Sequence, residues 1–168
     1  IDRMHLEYLK TRISEIFDQT EDELFFYDSD HKKRFYLLWS GSKENTLSRL
    51  PNYAATVFLL SADEKLWEKT RRQMSDTGIY FNQVRLGSVT LEQYILFHAA
   101  KDAYHGTKHI RLSELTDREL VPDEILRLIV NAFVIERYGM DIVEQKITQY
   151  LRRANNVTVE ENTRRKQC

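Results

Sequence analysis

Three histidines and one aspartate, close together in the chain, are the residues best suited to chemistry. They are His98, Asp102, His105 and His109. Because side chains three or four positions apart lie on the same face of a helix, the first three would stack together. Imidazole nitrogens and a carboxylate are ligands that zinc and similar divalent ions accept. The spacing therefore suggests a metal-binding module or a metal-dependent enzyme that uses His98, Asp102 and His105.

A structural role explains the same residues without a metal ion. Gly106 and Thr107 are expected to end the helix before His109, and Lys101 places a positive charge beside the group. No pair of cysteines accompanies the histidines to complete a ligand set. We therefore favour a solvated helix face on which an aspartate and a histidine share a hydrogen bond. A divalent metal ion is kept as the alternative, and no other cofactor is indicated.

Motifs of catalysis are missing from the rest of the chain. The sequence contains no glycine-rich phosphate-binding loop, no G-x-S-x-G motif and no H-E-x-x-H motif. Its single cysteine, Cys168, is the last residue, where a nucleophile could not be held against a base. With one cysteine no disulfide can form within the chain, as expected of a protein in a reducing cytoplasm. The sequence favours a protein without enzymatic activity but does not decide between the two.

Clustered basic side chains raise the hypothesis of nucleic-acid binding. One cluster is Lys32, Lys33 and Arg34, and another contains Arg71 and Arg72. The formal net charge of the chain is only −1, so binding of nucleic acid would require two clusters to meet in a local patch. Acidic residues lie among these bases, and no helix-turn-helix spacing is evident. We therefore favour solvated helix faces, with nucleic-acid binding as an alternative.

Aromatic residues are numerous and favour protein binding. The chain has nine tyrosines and two tryptophans, Trp39 and Trp67, and these residue types are enriched at protein interfaces. Packing in the core would account for most of the tyrosines. The leading hypothesis is a non-enzymatic interaction or regulatory protein that binds a protein partner or forms a homodimer, with Trp39 and Trp67 as interface anchors.

Residues 123–139 contain the strongest helix signal, and we expect the other elements to pack around this helix. Its middle is apolar around almost the whole circumference, which is typical of a buried helix. Pro122 favours a helix start, and Gly139 can adopt the left-handed conformation that ends one. Asp123 and Glu124 suit the positive end of the helix dipole.

Hydrophobic periodicity and capping residues predict the remaining elements. Thr90 or Ser88 would begin a helix that Gly106 ends, and Ser61 with Glu64 has the form of a capping box. The best strand is residues 79–86, for which residues 24–27 are the nearest partner. The other predicted helices are residues 2–18, 31–40, 52–60, 91–105, 113–120 and 141–153, and one that runs from the Ser61 cap to about residue 75, with a polar loop over residues 41–51.

Length and composition agree with one mostly α domain. A chain of 168 residues, 42% of them hydrophobic, can bury a core without metal ions or disulfides. The predicted fold is an orthogonal bundle of about six to seven helices over residues 1–154, with at most a minor two-stranded element. Residues 155–168 would form a flexible polar tail. No segment approaches the ~20 apolar residues that span a bilayer or resembles a signal peptide, so we expect a cytoplasmic protein without membrane contact.

Short motifs between residues 28 and 139 resemble one bacterial protein family. They are the run of residues 29–35 (SDHKKRF), the Ala103-Tyr104 pair before Gly106, and residues 135–139 (IERYG). Together they are similar to small helical proteins of Firmicutes, often carried on phages and other mobile elements. The resemblance implies a bacterial, cytoplasmic protein from a mobile element. Because that family has no established activity, it implies no functional residue.

Overall fold

The computed structural model describes residues 25–41 and 50–139, and most of these residues are helical. Six α-helices occur in these ranges, together with two short 3₁₀ helices and one two-stranded antiparallel sheet. This result confirms the predicted mostly α fold with a minor strand element. The predicted helices over residues 2–18 and 141–153, the tail of residues 155–168 and most of the polar loop lie outside the described residues. The six helices are α1 (Ser29–Gly41), α2 (Pro51–Leu60), α3 (Glu64–Thr70), α4 (Leu91–His105), α5 (Leu112–Leu115) and α6 (Asp123–Tyr138).

Helix α2 occupies the centre of the described structure. Pro51 lies in its first turn, and every residue from Ala54 to Leu60 is buried. The helix packs against both α4 and α6, and its Thr56 hydroxyl donates to the backbone oxygen of Ala100 at 3.3 Å. The two alanines of α2, Ala54 and Ala55, let the backbones of neighbouring helices approach closely. The expectation that residues 123–139 form the central helix is therefore corrected in favour of α2.

Helix α6 has the predicted bounds, and its middle is buried around most of its circumference, since every residue from Leu128 to Ala132 is buried. Leu126 and Ile135 are buried as well, whereas Phe133 is exposed over 52% of its surface. Asn131, expected as a polar interruption, donates from Nδ2 to the backbone oxygen of Phe25 at 2.9 Å. This bond satisfies a buried amide and ties the segment before α1 to α6.

Helix α4 begins and ends where its capping residues predict. Thr90 accepts a hydrogen bond from the amide of Gln93 at 3.2 Å, and the Gln93 side chain accepts from the Thr90 amide. At the other end, Gly106 has a φ of +67°, which is the left-handed conformation of a C-cap. The bounds of α4 are thus set by local sequence.

The predicted capping box at Ser61 is wrong. Ser61 is buried at the end of α2, where its hydroxyl donates to the backbone oxygen of Phe58 at 3.2 Å. The cap of α3 is Asp63, whose carboxylate accepts from the amide of Leu66 at 2.8 Å. The same carboxylate oxygen accepts from Nε2 of Gln93 at 3.0 Å, so one aspartate links the starts of α3 and α4.

The strand prediction for residues 79–86 is also wrong. The sheet is a hairpin of β1 (Met74–Ser75) and β2 (Gly78–Ile79), and residues 81–83 form a 3₁₀ helix. Gly78 has a φ of +149°, and a Cβ atom there would lie 2.5 Å from the Tyr104 hydroxyl oxygen. That oxygen accepts from the amide of Ile79 at 3.1 Å. A contact with α4, distant in sequence, therefore places the hairpin.

Within the described ranges, no helix is both long enough and apolar enough to cross a membrane.

Candidate functional site

Asp102 organises the segment that follows α4. Its Oδ1 accepts from the Thr107 hydroxyl at 2.6 Å, and its Oδ2 accepts from the amides of His109 and Ile110 at 2.7 and 3.0 Å. Nδ1 of His109 lies 2.6 Å from Oδ1 of the same carboxylate. Because an ionised carboxylate can only accept, the histidine donates this bond from Nδ1. Asp102 thus holds the chain after Gly106 in a closed loop.

The electrostatics of Asp102 favour its ionised form. Partial burial raises the pKa of this carboxyl, but the hydrogen bonds from Thr107, from the two backbone amides and from the His109 ring outweigh burial and lower the pKa to about 2. All of these donors come from the loop itself. The carboxylate therefore acts first as a structural anchor, with its acceptor capacity used inside the chain.

His98 lies beside His109 in an aromatic setting. The centroids of the two imidazole rings are 5.5 Å apart, and the Tyr94 ring lies 4.2 Å from that of His98. Burial lowers the pKa of His98, and the nearby His109 and Lys101 lower it further, while Asp102 acts in the opposite direction. Among the described residues, Nδ1 of His98 is buried and has no hydrogen-bond partner. Both features favour the neutral imidazole.

The predicted ligand set His98, Asp102 and His105 is not assembled. The ring of His105 lies 5.6 Å from that of Phe81 and 4.9 Å from that of Tyr104, whereas Asp102 binds the loop and His98 faces His109. Across residues 25–41 and 50–139, no three side chains of histidine, cysteine, aspartate or glutamate are grouped so that they could hold a metal ion. The three residues lie on one helix, as their spacing predicts, but each side chain has a different neighbour. An Asp–His hydrogen bond does form, but its histidine is His109 in the loop after the helix and not a residue of the helix face.

A groove of about 270 Å³ lies next to this loop. One wall is the end of α4 with the following segment, the other is α6, and α5 contributes one residue. Most of the lining is apolar, and polar groups lie among these side chains. The lining residues are Ala99, Asp102, Ala103, Gly106, Thr107, Lys108, Ile110, Leu115, Ile129, Phe133 and Glu136.

The two walls carry an exposed lysine, an exposed glutamate and one exposed aromatic ring, while the ionised carboxylate of Asp102 on the loop wall is mostly buried and bonded to its own loop. Lys108 lies on the loop wall, and Phe133 and Glu136 lie one turn apart on α6. Burial raises the pKa of Glu136. In the part of the chain that the structure describes, neither Lys108 nor Glu136 forms a salt bridge. The groove thus combines an apolar surface with two charges that have no ionic partner among residues 25–41 and 50–139.

Most of the predicted nucleic-acid residues interact with other groups of the chain. Lys33 pairs with Asp30 at 2.9 Å, and Arg71 pairs with Glu68 at 3.0 Å, both across one helical turn. Arg34 donates from Nε to the backbone oxygen of Ser61 at 2.7 Å and from a terminal nitrogen to that of Ala62 at 3.1 Å. These bonds neutralise charges or cap the end of α2, so they weaken the case for a phosphate-binding face. Arg72 is exposed and Lys32 is partly buried.

The predicted tryptophan anchors are only partly described. Trp67 is 8% exposed and belongs to the hydrophobic core, so it is not a surface anchor in this chain. Its position on the apolar face of α3 explains the burial. The side chain of Trp39 lies outside the described residues.

Sequence reasoning missed two features, the groove and His31. His31 is completely buried, with Nδ1 accepting from the amide of Tyr27 at 3.0 Å and Nε2 donating to the backbone oxygen of Phe58 at 2.8 Å. Burial lowers its pKa to about 3, against the smaller effect of the bond to Phe58. No local pattern marks this histidine, because Phe58 is far away in the sequence. A local sequence pattern cannot predict the groove either, because its walls come from separate segments of the chain.

Comparison with known proteins identified no relative: no family model matches the chain, and no curated protein or solved structure matches it significantly.

Proposed function

We propose that this protein works by binding another protein, with the groove between the loop after α4 and helix α6 receiving a large apolar side chain. The observation that carries the proposal is the position of Phe133. Its ring is 52% exposed on the wall of a groove whose lining is mainly apolar. Concave apolar surface beside an exposed aromatic ring is typical of the energetic centre of a protein interface.

The size of the groove is compatible with one large side chain. Its volume is about 270 Å³, near the lower end of the range of roughly 300–1,000 Å³ that is usual for ligand sites. Lys108 and Glu136 would border the inserted side chain, as polar residues border the core of many interfaces. The binding partner would therefore present an apolar residue with polar or charged neighbours.

The other functional hypotheses have less support from the described residues. Asp102 accepts hydrogen bonds from its own loop. This structural role accounts for its pairing with His109 without catalysis. Metal binding lacks a grouped ligand set among the described residues. Arg34 and Arg71, required for a basic patch, bind groups within the chain. A binding protein that acts by stoichiometric association is the more economical account.

The experiment is capture of partners from a bacterial lysate, followed by native mass spectrometry of the bound species. Wild-type protein is compared with Phe133→Ala and with Leu91→Ala, a helical apolar residue that is 50% exposed and does not line the groove. We expect Phe133→Ala to weaken binding about 5- to 150-fold, as truncation of a central aromatic residue costs roughly 1–3 kcal/mol. Leu91→Ala should bind like the wild type.

Thermal unfolding of all three proteins controls for loss of structure. Because Phe133 is half exposed, its truncation should change the melting temperature little. Equal capture by the wild type and both variants would contradict the proposal, as would failure to capture any protein or second copy.

A further inference from the structure

We infer that the groove is occupied by the same groove of a second copy of this chain, in a two-fold symmetric dimer. The inference rests on the proposed function and names the partner. It follows from the arrangement of charge and apolar surface on the two walls. Two-fold dimers use one surface patch on both copies, so the patch must be complementary to itself.

The two walls of the groove meet this requirement for charge. Lys108 lies on the loop wall and Glu136 on the α6 wall, and in the described part of the chain neither has an ionic partner. The other charged group of the loop wall, Asp102, is only 16% exposed and accepts from donors of its own loop, so Lys108 is the charge that this wall presents outward. A two-fold axis through the groove exchanges the walls, so each loop faces the α6 helix of the other copy. Lys108 of one copy then faces Glu136 of the other, and the contact occurs twice. A groove with charges of one sign would repel its own copy instead.

Phe133 supplies the apolar part of the same contact. It lies one helical turn before Glu136, on the α6 wall. The two-fold axis places this wall of one copy against the groove of the second copy. The Phe133 ring would contact the apolar lining contributed by Ala103 and Ile110 of the second copy. Because the axis repeats the contact, two half-exposed rings become buried together. The burial of Glu136, which raises its pKa in the single chain, is offset in the dimer by the facing lysine.

Sedimentation equilibrium over a wide range of protein concentration tests the inference. The wild-type chain of 20.1 kDa should associate to a species of twice that mass. Phe133→Ala should weaken dimerisation at least about 10-fold, because the loss occurs twice in each dimer. Lys108→Glu and Glu136→Lys should each weaken it by about 10-fold or more, since each replaces two attractive contacts by two repulsive ones. Leu91→Ala should dimerise like the wild type.

Mixing of the charge variants gives the sharpest test. When Lys108→Glu is mixed with Glu136→Lys, glutamates on one copy face lysines on the other at both contacts. The mixture should therefore form heterodimers, which native mass spectrometry detects when one of the two variants is uniformly labelled with ¹⁵N, because the substitutions alone leave the two chains almost equal in mass. The double variant Lys108→Glu/Glu136→Lys should form homodimers again. Recovery by a second charge change cannot result from misfolding of the single variants.

The outcomes separate this inference from the proposed function. A wild-type chain that remains monomeric at all concentrations overturns the inference, and so does a dimer that the charge variants neither weaken nor recombine. If the chain is monomeric but captures a different protein in a Phe133-dependent manner, the second copy is wrong as the partner and the proposed function stands. If neither self-association nor capture depends on Phe133, both are overturned.

Discussion

His31 shows how one residue can join distant parts of this fold. Its two ring nitrogens bind the amide of Tyr27 and the backbone oxygen of Phe58, and its ring packs 4.7 Å from that of Phe58. Accepting at Nδ1 and donating at Nε2 require the neutral ring with its proton on Nε2. The sequence could not reveal this role, because it predicted only that residue 31 begins a helix.

The depressed pKa of His31 predicts a loss of stability in weak acid. The unfolded chain takes up a proton as the pH falls through about 6.5, whereas the folded chain resists protonation until about pH 3. Stability should therefore fall between these values, by about 2 kcal/mol from pH 7 to pH 5 for this residue alone. Burial also lowers the pKa of His98, which adds a loss in the same direction.

Urea unfolding at pH 7 and pH 5 measures this loss. His31→Gln should be less stable at pH 7 but should lose less on acidification, while the exposed variant His105→Gln should keep most of the wild-type pH dependence. Nitrogen NMR of the imidazole should show the neutral form of His31 at pH 5. Protonation of His31 near pH 6.5 in the folded protein would contradict the assignment.

At the scale of elements, local signals were sufficient where caps and periodicity agree. A cap at Thr90 or Ser88 and the glycines at 106 and 139 predicted the bounds of α4 and α6, because these signals act within one helical turn. The prediction failed where a distant contact decides the conformation. Tyr104 positions the hairpin at Gly78, and the start of α3 depends on Asp63 rather than Ser61.

The loop after α4 is the element on which the groove depends, and Asp102 is its anchor. Asp102→Asn removes the charge and replaces an acceptor oxygen by an amide nitrogen, which cannot accept from the loop. We expect a loss of about 1–3 kcal/mol in unfolding free energy and faster hydrogen exchange at the amides of His109 and Ile110. Asp76→Asn, at an exposed aspartate, is the matched control and should change neither quantity.

The contribution of Asp102 to the unfolding free energy changes with pH in a defined direction. The pKa of Asp102 is depressed, so its contribution is present above the ordinary value of 3.8 and is lost as the pH falls through about 2. The loss therefore occurs at lower pH than that of His31. Unchanged exchange at His109 and Ile110 in Asp102→Asn would show that other contacts hold the loop.

At the scale of the whole molecule, the sequence predicted the class of fold but not its centre or its groove. The long apolar run of residues 123–139 indicated a central helix, whereas α2 is shorter and more completely buried. Apolar residues alone could not show that Phe133 would lie outside the core. The groove arises only when the loop after α4 packs near α6, and no spacing along the chain encodes that proximity.

The central claim is that the groove at Phe133 is the surface on which this protein binds a protein. The most direct measurement is photocrosslinking in cells, with a photoreactive phenylalanine analogue placed at position 133 and, as a control, at position 91. The account predicts one discrete adduct from position 133, either with a second copy or with another protein, and no such adduct from position 91. The absence of an adduct at position 133, or the same adducts from both positions, would contradict it.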